Sequence, residues 1–208
     1  MDDNDFQARI KQLYQPPKGK FVFVDVPAIR YLAIEGHGDP KASGVDTAMS
    51  WLWAIVESLI PVAKKYLGRN FKYPPLECQF WAGQQSLIDT PKEQWHWRVM
   101  VVAGNWATNS VIDTAKTNAA CNPKIGKLGP ANLPTVQVIN LHEMQCVQYM
   151  HVGDYAGIGD VCTQLYQDFL PHNNLQAHGH YHEIYLNDPS KTEAAKRKVI
   201  IRQPVRPI

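Results

Sequence analysis

The sequence predicts an α+β fold made of two tandem strand-helix-strand-strand units, and three observations lead there. Stretches rich in β-branched and aromatic residues flank one long segment, Val45 to Leu67, whose apolar residues recur at spacings of three and four. The same order of elements returns later in the chain, so that a first half of about 19–104 and a second of about 136–206 are joined by a connector of about 105–135. Finally, MQCVQYMHVGDY is similar to PAIRYLAIEGHG, with Tyr149 standing where Tyr31 stands and a glycine turn after each strand. Two such units can join in one curved antiparallel sheet with helices on one face. A chain of 208 residues is long enough to bury most of its apolar surface as a single domain.

Taken in order, GKFVFVDVPAIRYLAIEGHGDPKASG reads as extended segments closing in a Gly/Pro loop. In the helix that follows, Ala48, Met49, Leu52, Ile55, Val56, Leu59, Ala63, Tyr66 and Leu67 mark one face, Gly68 supplies a stop, and Pro61 is expected to kink or break the helix just before it. Strands are expected over Leu76 to Gly83 and Trp95 to Gly104. The connector holds a short helix around Val111 to Thr117. The second half opens with a core strand over Met144 to Tyr155. Its helix shows Ile158, Val161, Cys162, Leu165 and Phe169 on one face and is expected to end at Pro171. HYHEIYLND and KRKVIIRQPV then match LECQFWAG and WHWRVMVVAG in place, which makes Glu77 and Glu183 counterparts.

Composition narrows the partners. With 45% hydrophobic and 19% charged residues and a net charge of +2, the chain supplies no strong field for nucleic acid or anionic lipid. A small molecule is the expected partner, with no nucleic acid and no membrane. No apolar run approaches the ~20 residues that cross a bilayer, and the polar opening MDDNDFQARIKQLYQ is unlike a signal peptide, so the expected location is the cytoplasm. Cys78, Cys121, Cys146 and Cys162 are scattered, without a C-x-x-C pair, and read as reduced thiols. No cofactor is expected.

The candidate chemistry concentrates in H-G-H-Y-H-E-I-Y-L. Strand alternation places His178, His180 and His182 on one face and Tyr181, Glu183 and Tyr185 on the other. Alternate histidines can bind metal, but no nearby residue completes a ligand set, and none is expected. A carboxylate between two tyrosines is either a surface group on a sheet edge or a site. As a site, partial burial against aromatic rings would raise its pKa and make it a better proton acceptor, or it would meet a cationic ligand. Trp81, Trp95 and Trp97 lie on paired strands, with Trp95 and Trp97 on the same side. They either pack under the helix or stack on a ligand, and at least one is expected to reach the open face. Glu77 is divided between a pocket and a salt bridge. His151 and Tyr155 flank the turn H-V-G-D-Y, either as a pocket rim or as an ordinary turn. The basic residues near the C-terminus alternate with apolar ones and read as a solvated face.

VDVPAIRYLAIEGHGDP, YPPLECQFW, WHWRVM, MHVGDY and above all HEIYLNDP followed by IIRQPV resemble the GyrI-like small-molecule-binding proteins, found alone or as effector domains of transcription activators. The resemblance implies a ligand groove at the pseudo-twofold axis of two repeated units, with the glutamate of H-E-I-Y-L, here Glu183, in the groove among aromatic rings. In effector domains that glutamate binds cationic, aromatic drugs; in some freestanding members it is implicated in hydrolysing strained cyclopropane rings. By the same likeness Glu183 would activate a water while Trp81 and Tyr185 hold a planar substrate. Tyr181-His182 departs from the two adjacent histidines common in the family, and Ala156-Gly157 replaces an acidic residue after the turn. Only about twenty residues precede the first strand, so no helix-turn-helix region is expected.

Three functions follow from this reading. A sequestering or sensing protein requires a groove, a carboxylate and stacking rings. A hydrolase of cyclopropanoid or similarly electrophilic compounds requires in addition that Glu183 meet a water beside the target carbon. A protein-interaction module, such as a modulator of DNA gyrase, would show an exposed apolar patch instead.

Overall fold

The computed structural model describes residues 10–42, 44–67, 75–83, 87–104, 106–127, 129 and 132–208. Gly68, read as a helix stop, and the first two residues of YPPLECQFW lie outside them. The strands are β1 (Val22–His37), β2 (Leu76–Trp81), β3 (His96–Val102), β4 (Gln137–Val152), β5 (Leu175–Ala177), β6 (Tyr181–Tyr185) and β7 (Lys198–Pro207). The main helices are α1 (Val45–Leu67), α2 (Asn109–Ala120) and a helical stretch over 158–172. Strand, helix, strand, strand thus occurs twice, with the short β5 inserted in the second round. Hydrogen bonding orders the strands β4-β1-β3-β2-β6-β7-β5, and β4 also pairs with β7. The fold class is α+β with antiparallel pairing.

The chain divides into two compact units. One comprises Met1–Ile29, Pro75–Gln79 and Leu141–Ile208, the other Arg30–Pro74 and Phe80–Asn140. In the second, α1 contacts α2 and β3, and Ala48, Leu52, Ile55, Val56, Leu59 and Ala63 of the anticipated face are buried, whereas Met49 is half-buried and Tyr66, in the last turn, is exposed. By length and composition this helix could cross a bilayer; in the fold that apolar face is spent on the core. Pro61 does not break it. The carbonyl that Pro61 leaves without a helical partner belongs to Glu57, on the exposed side, where water can hydrate it. Thr108 caps α2 by accepting from the Val111 N–H at 3.4 Å. Antiparallel β1 and β3 set Glu35 opposite Arg98, Gly36 opposite Trp97 and His37 opposite His96.

In the first unit, β7 lies between β6 and β4, pairing His182 with Arg202 and Glu183 with Ile201 on one side, and Gln148 with Arg202 on the other. The 158–172 helix passes through a π-helical stretch, Gln164–Phe169, and runs on through Pro171 to His172. Its end comes instead at Asn174, whose φ of 54° is the left-handed conformation that closes a helix.

A charged cluster fills the interior of this unit. Glu77, Glu143, His182 and Arg202 are all buried. His182 Nε2 lies 2.9 Å from Glu77 Oε2, its Nδ1 lies 2.9 Å from Glu143 Oε1, and Arg202 reaches Glu143 Oε2 at 2.8 Å. Gln79 donates to Glu143 at 3.1 Å. Strict alternation from Gln148 would aim Glu143 at the opposite face of β4. Met144 corrects this. With φ of 58° it interrupts the pleat, leaving Met144 and Gln145 both exposed between buried Glu143 and Cys146, so that Glu143 turns to the Arg202 side. Burial pushes the Glu143 carboxyl up, but the charges of His182 and Arg202 and the hydrogen bonds to both outweigh it and hold the group at about 2. For His182 burial disfavours the imidazolium, and the Glu143 charge with the hydrogen bonds that the ring donates to Glu143 and Glu77 overrides it, raising the pKa.

Linkage gives these shifts a pH window. The Glu143 contribution is complete above its ordinary 4.5 and lost as pH falls toward about 2. That of His182 is complete below its ordinary 6.5 and lost as pH rises through its folded value. Thermal melting followed by circular dichroism should therefore show both losses, one on each side of the interval between 4.5 and 6.5. Glu143→Gln, which removes the buried carboxylate paired with both His182 and Arg202, should destabilise by about 3–5 kcal/mol. In the other unit, a Cβ on Gly36 would stand 2.0 Å from the Trp97 ring. Gly36→Ala is expected to cost about 1–3 kcal/mol in denaturant unfolding as strand and indole separate.

Candidate functional site

β6 presents opposite chemistry on its two faces because successive residues point in opposite directions. His182 goes inward to the charged cluster. Tyr181, Glu183 and Tyr185 share the other face, as the alternation anticipates. The Tyr181 hydroxyl donates to Glu183 Oε1 at 2.8 Å, and the Tyr185 hydroxyl donates to Oε2. The carboxylate is thus held by two phenols from its own strand, one residue to each oxygen.

The walls around it come from other elements of the same unit. Cys162, from the 158–172 helix, places its thiol 3.4 Å from the Tyr181 hydroxyl. Tyr155 meets the Tyr185 ring edge-on at 5.7 Å, and the Arg197 guanidinium lies over Tyr155 at 5.1 Å. His151 Nε2 donates to the Asp154 carbonyl at 2.8 Å, which ties the glycine turn together. Asp154 Oδ1 in turn accepts from the Ala156 N–H at 2.9 Å, capping the short helical turn that carries Tyr155.

Burial raises the Glu183 pKa, against the opposing pull of the Tyr185 and Tyr181 hydrogen bonds and the charges of His182 and His151. Burial and the Glu183 charge push both phenols well above their ordinary range, so they stay protonated and act as donors. Burial also raises the Cys162 thiol, to about 11, and the Cys78 thiol further still, in part through Glu183. Neither thiol is a nucleophile at neutral pH. Glu183 itself remains half-buried, and among the described residues it forms no salt bridge. This is a desolvated carboxylate with raised proton affinity and aromatic neighbours, on a residue that is half-buried as a whole. It can accept a proton from water, or it can face a cation.

The other candidates sit elsewhere. Glu77, divided in the sequence between pocket and salt bridge, is in the salt bridge: it is fully buried and pairs with His182. Trp97 is buried over Gly36. Trp95 lies just ahead of β3, where its indole N–H donates to the Thr90 carbonyl at 2.8 Å and Lys92 lies over its ring. Trp81 is half-buried, stacks on His96 with centroids 5.5 Å apart, and carries Arg98 over its ring. Arg98 also pairs with Glu35 at 2.5 Å, and His96 touches His37 edge-on. These residues line one face of β1 and β3 in the second unit. Among the described residues, no group of three His, Cys, Asp or Glu is placed to hold a metal ion. Cys162, Cys78 and Arg197 were not anticipated as neighbours of the Glu183 group. Only the adjacency of Cys78 to Glu77, the proposed counterpart of Glu183, hinted at one of them.

A family model described as the GyrI-like small molecule binding domain matches residues 19–206. An uncharacterized conserved protein from Listeria innocua is similar in structure at a TM-score of 0.78 with 29% identity, over 97% of this chain and 98% of that one. Two structures described as hydrolases from the same organism each have a TM-score of 0.72, with 27% and 28% identity, and again 97% of this chain and 98% of theirs are covered. No curated protein matches the sequence. With all but its ends matched by one family model, the chain belongs to the GyrI-like small-molecule-binding family.

Proposed function

We propose that this protein takes up amphipathic aromatic or cationic small molecules at Glu183, and that Glu183 there serves as general base in the hydrolysis of cyclopropanoid or similarly electrophilic rings. One observation carries the reading. A half-buried carboxylate, held by two phenols and without a cationic partner among the described residues, has a raised pKa whose first cause is burial. Two similar structures that bear the description hydrolase lend support.

In the proposed reaction a water beside Glu183 passes a proton to the carboxylate as its oxygen bonds to a ring carbon. The strained carbon–carbon bond breaks, and its electron pair moves into the conjugated acceptor of the substrate, which takes up a proton in turn. Tyr181 and Tyr185 hold the carboxylate in one orientation, and with Tyr155 they offer ring edges and faces to a planar substrate. His151 anchors the adjoining turn. The reaction needs no cofactor, and the setting proposed for it is the cytoplasm.

A second reading, sequestering without turnover, is favoured by the two phenol hydrogen bonds. They stabilise Glu183 as an anion, which suits a bound cation as well as it suits catalysis.

Ring opening of a cyclopropane-containing alkylating compound, followed by chromatography, separates the two. Glu183→Gln is expected to lower turnover by about 10²–10⁴-fold if the carboxylate is the base. Ethidium, a fluorescent aromatic cation, should bind the parent about tenfold more tightly than the variant, a difference of about 1.4 kcal/mol. A parent that binds ethidium in a Glu183-dependent way but opens no ring keeps the binding reading and ends the catalytic one. Equal ethidium binding by parent and variant sinks both.

A further inference from the structure

The support behind Glu183 begins outside the span that defines the family. Residues 10–14 precede the matched 19–206, yet Ile10 and Leu13 are buried. Gln148 donates to the Leu13 carbonyl at 3.2 Å, and Tyr14 packs on the cluster of Met150, Ile184 and Ile200. From that seat the Tyr14 hydroxyl donates to Glu77 Oε1. Glu77 Oε2 meets His182 Nε2 at 2.9 Å, and His182 Nδ1 meets Glu143 at 2.9 Å. His182 directly precedes Glu183 in β6.

We propose that Tyr14 is a positioning residue of the Glu183 site: its hydroxyl holds Glu77 against His182 and so keeps the imidazole a cation immediately behind the carboxylate. The inference rests on Glu183 being the functional group, and it adds to that reading a segment that precedes the residues matched by the family model. Its chemistry is a matter of proton count. An imidazole between two carboxylates satisfies both only when each nitrogen carries a hydrogen, which makes it an imidazolium. Two carboxylates, Glu77 and Glu143, then balance two cations, Arg202 and His182.

Removing the Tyr14 hydroxyl takes a donor from a carboxylate in the interior. A buried carboxylate that loses a donor is harder to keep ionised, and the nearest proton is the one on His182 Nε2, which would move to Glu77. His182 would then be neutral, and the positive charge that favours ionised Glu183 would be gone. His182 is faced by Glu77 from β2, Glu143 from β4, Arg202 from β7 and, through Glu77, Tyr14. Glu183 is faced by Tyr181 and Tyr185 from its own strand and by the charge of His151 from β4. Cys78 from β2, Tyr155 and, through Tyr181, Cys162 complete its surroundings. No other cation among these stands on the inner face next to Glu183 except Arg202, which is committed to Glu143.

The test is made on the full chain without ligand, so its outcome does not depend on whether any compound binds. Nitrogen-15 NMR of the ring reports whether Nδ1 and Nε2 are both protonated, and carbon-13 NMR of labelled glutamate, assigned with Glu183→Gln, follows the Glu183 titration. In the parent, His182 should be doubly protonated at neutral pH. In Tyr14→Phe, the Nε2 resonance should shift toward the unprotonated position and the Glu183 midpoint should move up. Fluorinated tyrosines of increasing acidity at position 14 preserve the shape of the residue and grade its donation. Along that series the Nε2 resonance should move in step, whether or not Tyr14→Phe folds. A neutral His182 in the parent, or an Nε2 resonance indifferent to the fluorinated series, would overturn the inference. Loss of Glu183-dependent ethidium binding in the parent would instead count against the proposed function alone.

Discussion

The interior ion cluster is the constraint on which the architecture of the first unit depends. Four strands each send one ionisable side chain into it: Glu77 from β2, Glu143 from β4, His182 from β6 and Arg202 from β7. A charge placed in a low-dielectric interior is tolerated only with its partner in place. Slipping any of these strands by one residue would turn its charge to the other face and strand the rest. A two-residue slip would leave an apolar face apolar, but it would part these ion pairs, so the charges tighten the register that burial already sets. The local distortion at Met144 makes sense in the same terms, because without the extra residue Glu143 would point away from Arg202.

Glu183 inherits its position from that lock. Fixing His182 inward fixes Glu183 outward, between Tyr181 and Tyr185, without any interaction of its own that needs to be strong. The two faces of five consecutive residues thereby receive different tasks, one deciding register and the other presenting a carboxylate. The aromatic neighbours of Glu183 come from its own strand and from the turn that follows β4, and the helix after that turn supplies Cys162. Those elements are placed by the same pairing of β4 with β7 that seats Gln148 beside Arg202.

Much of this was legible because it is local. The bounds of α1 follow from apolar spacing, and the shared face of Tyr181, Glu183 and Tyr185 follows from a two-residue period. What escaped the sequence is non-local. Tyr14 and Glu77 are 63 residues apart, His182 and Glu143 are 39 apart, and Arg202 and Glu143 are 59 apart. No periodicity links such positions, and His182 therefore read as one of a row of histidines instead of the centre of a buried network. Local rules also erred where context compensated. Pro61 sits on the exposed side of its helix, so the lost hydrogen bond is returned by water, and Pro171 falls in a terminal turn that Asn174 ends.

The balance of costs argues that Glu183 is there for function. Burial raises its pKa above the ordinary 4.5, so it favours the folded state only when protonated, and that advantage is lost as pH rises through the folded value. At neutral pH an ionised Glu183 weakens the fold it belongs to. The phenol hydrogen bonds reduce this penalty without cancelling it, since burial remains the larger effect. An apolar side chain against Ile201 would pack the same position at no electrostatic cost. Destabilising groups of this kind collect at sites where chemistry requires them. The inner cluster shows the contrast: there every carboxylate has a cationic partner, and the stabilising shift of Glu143 has the opposite sign. Two glutamates of one unit, one drawn down by its cations and one pushed up by its surroundings, mark the difference between a group that holds the fold and a group that the fold holds ready.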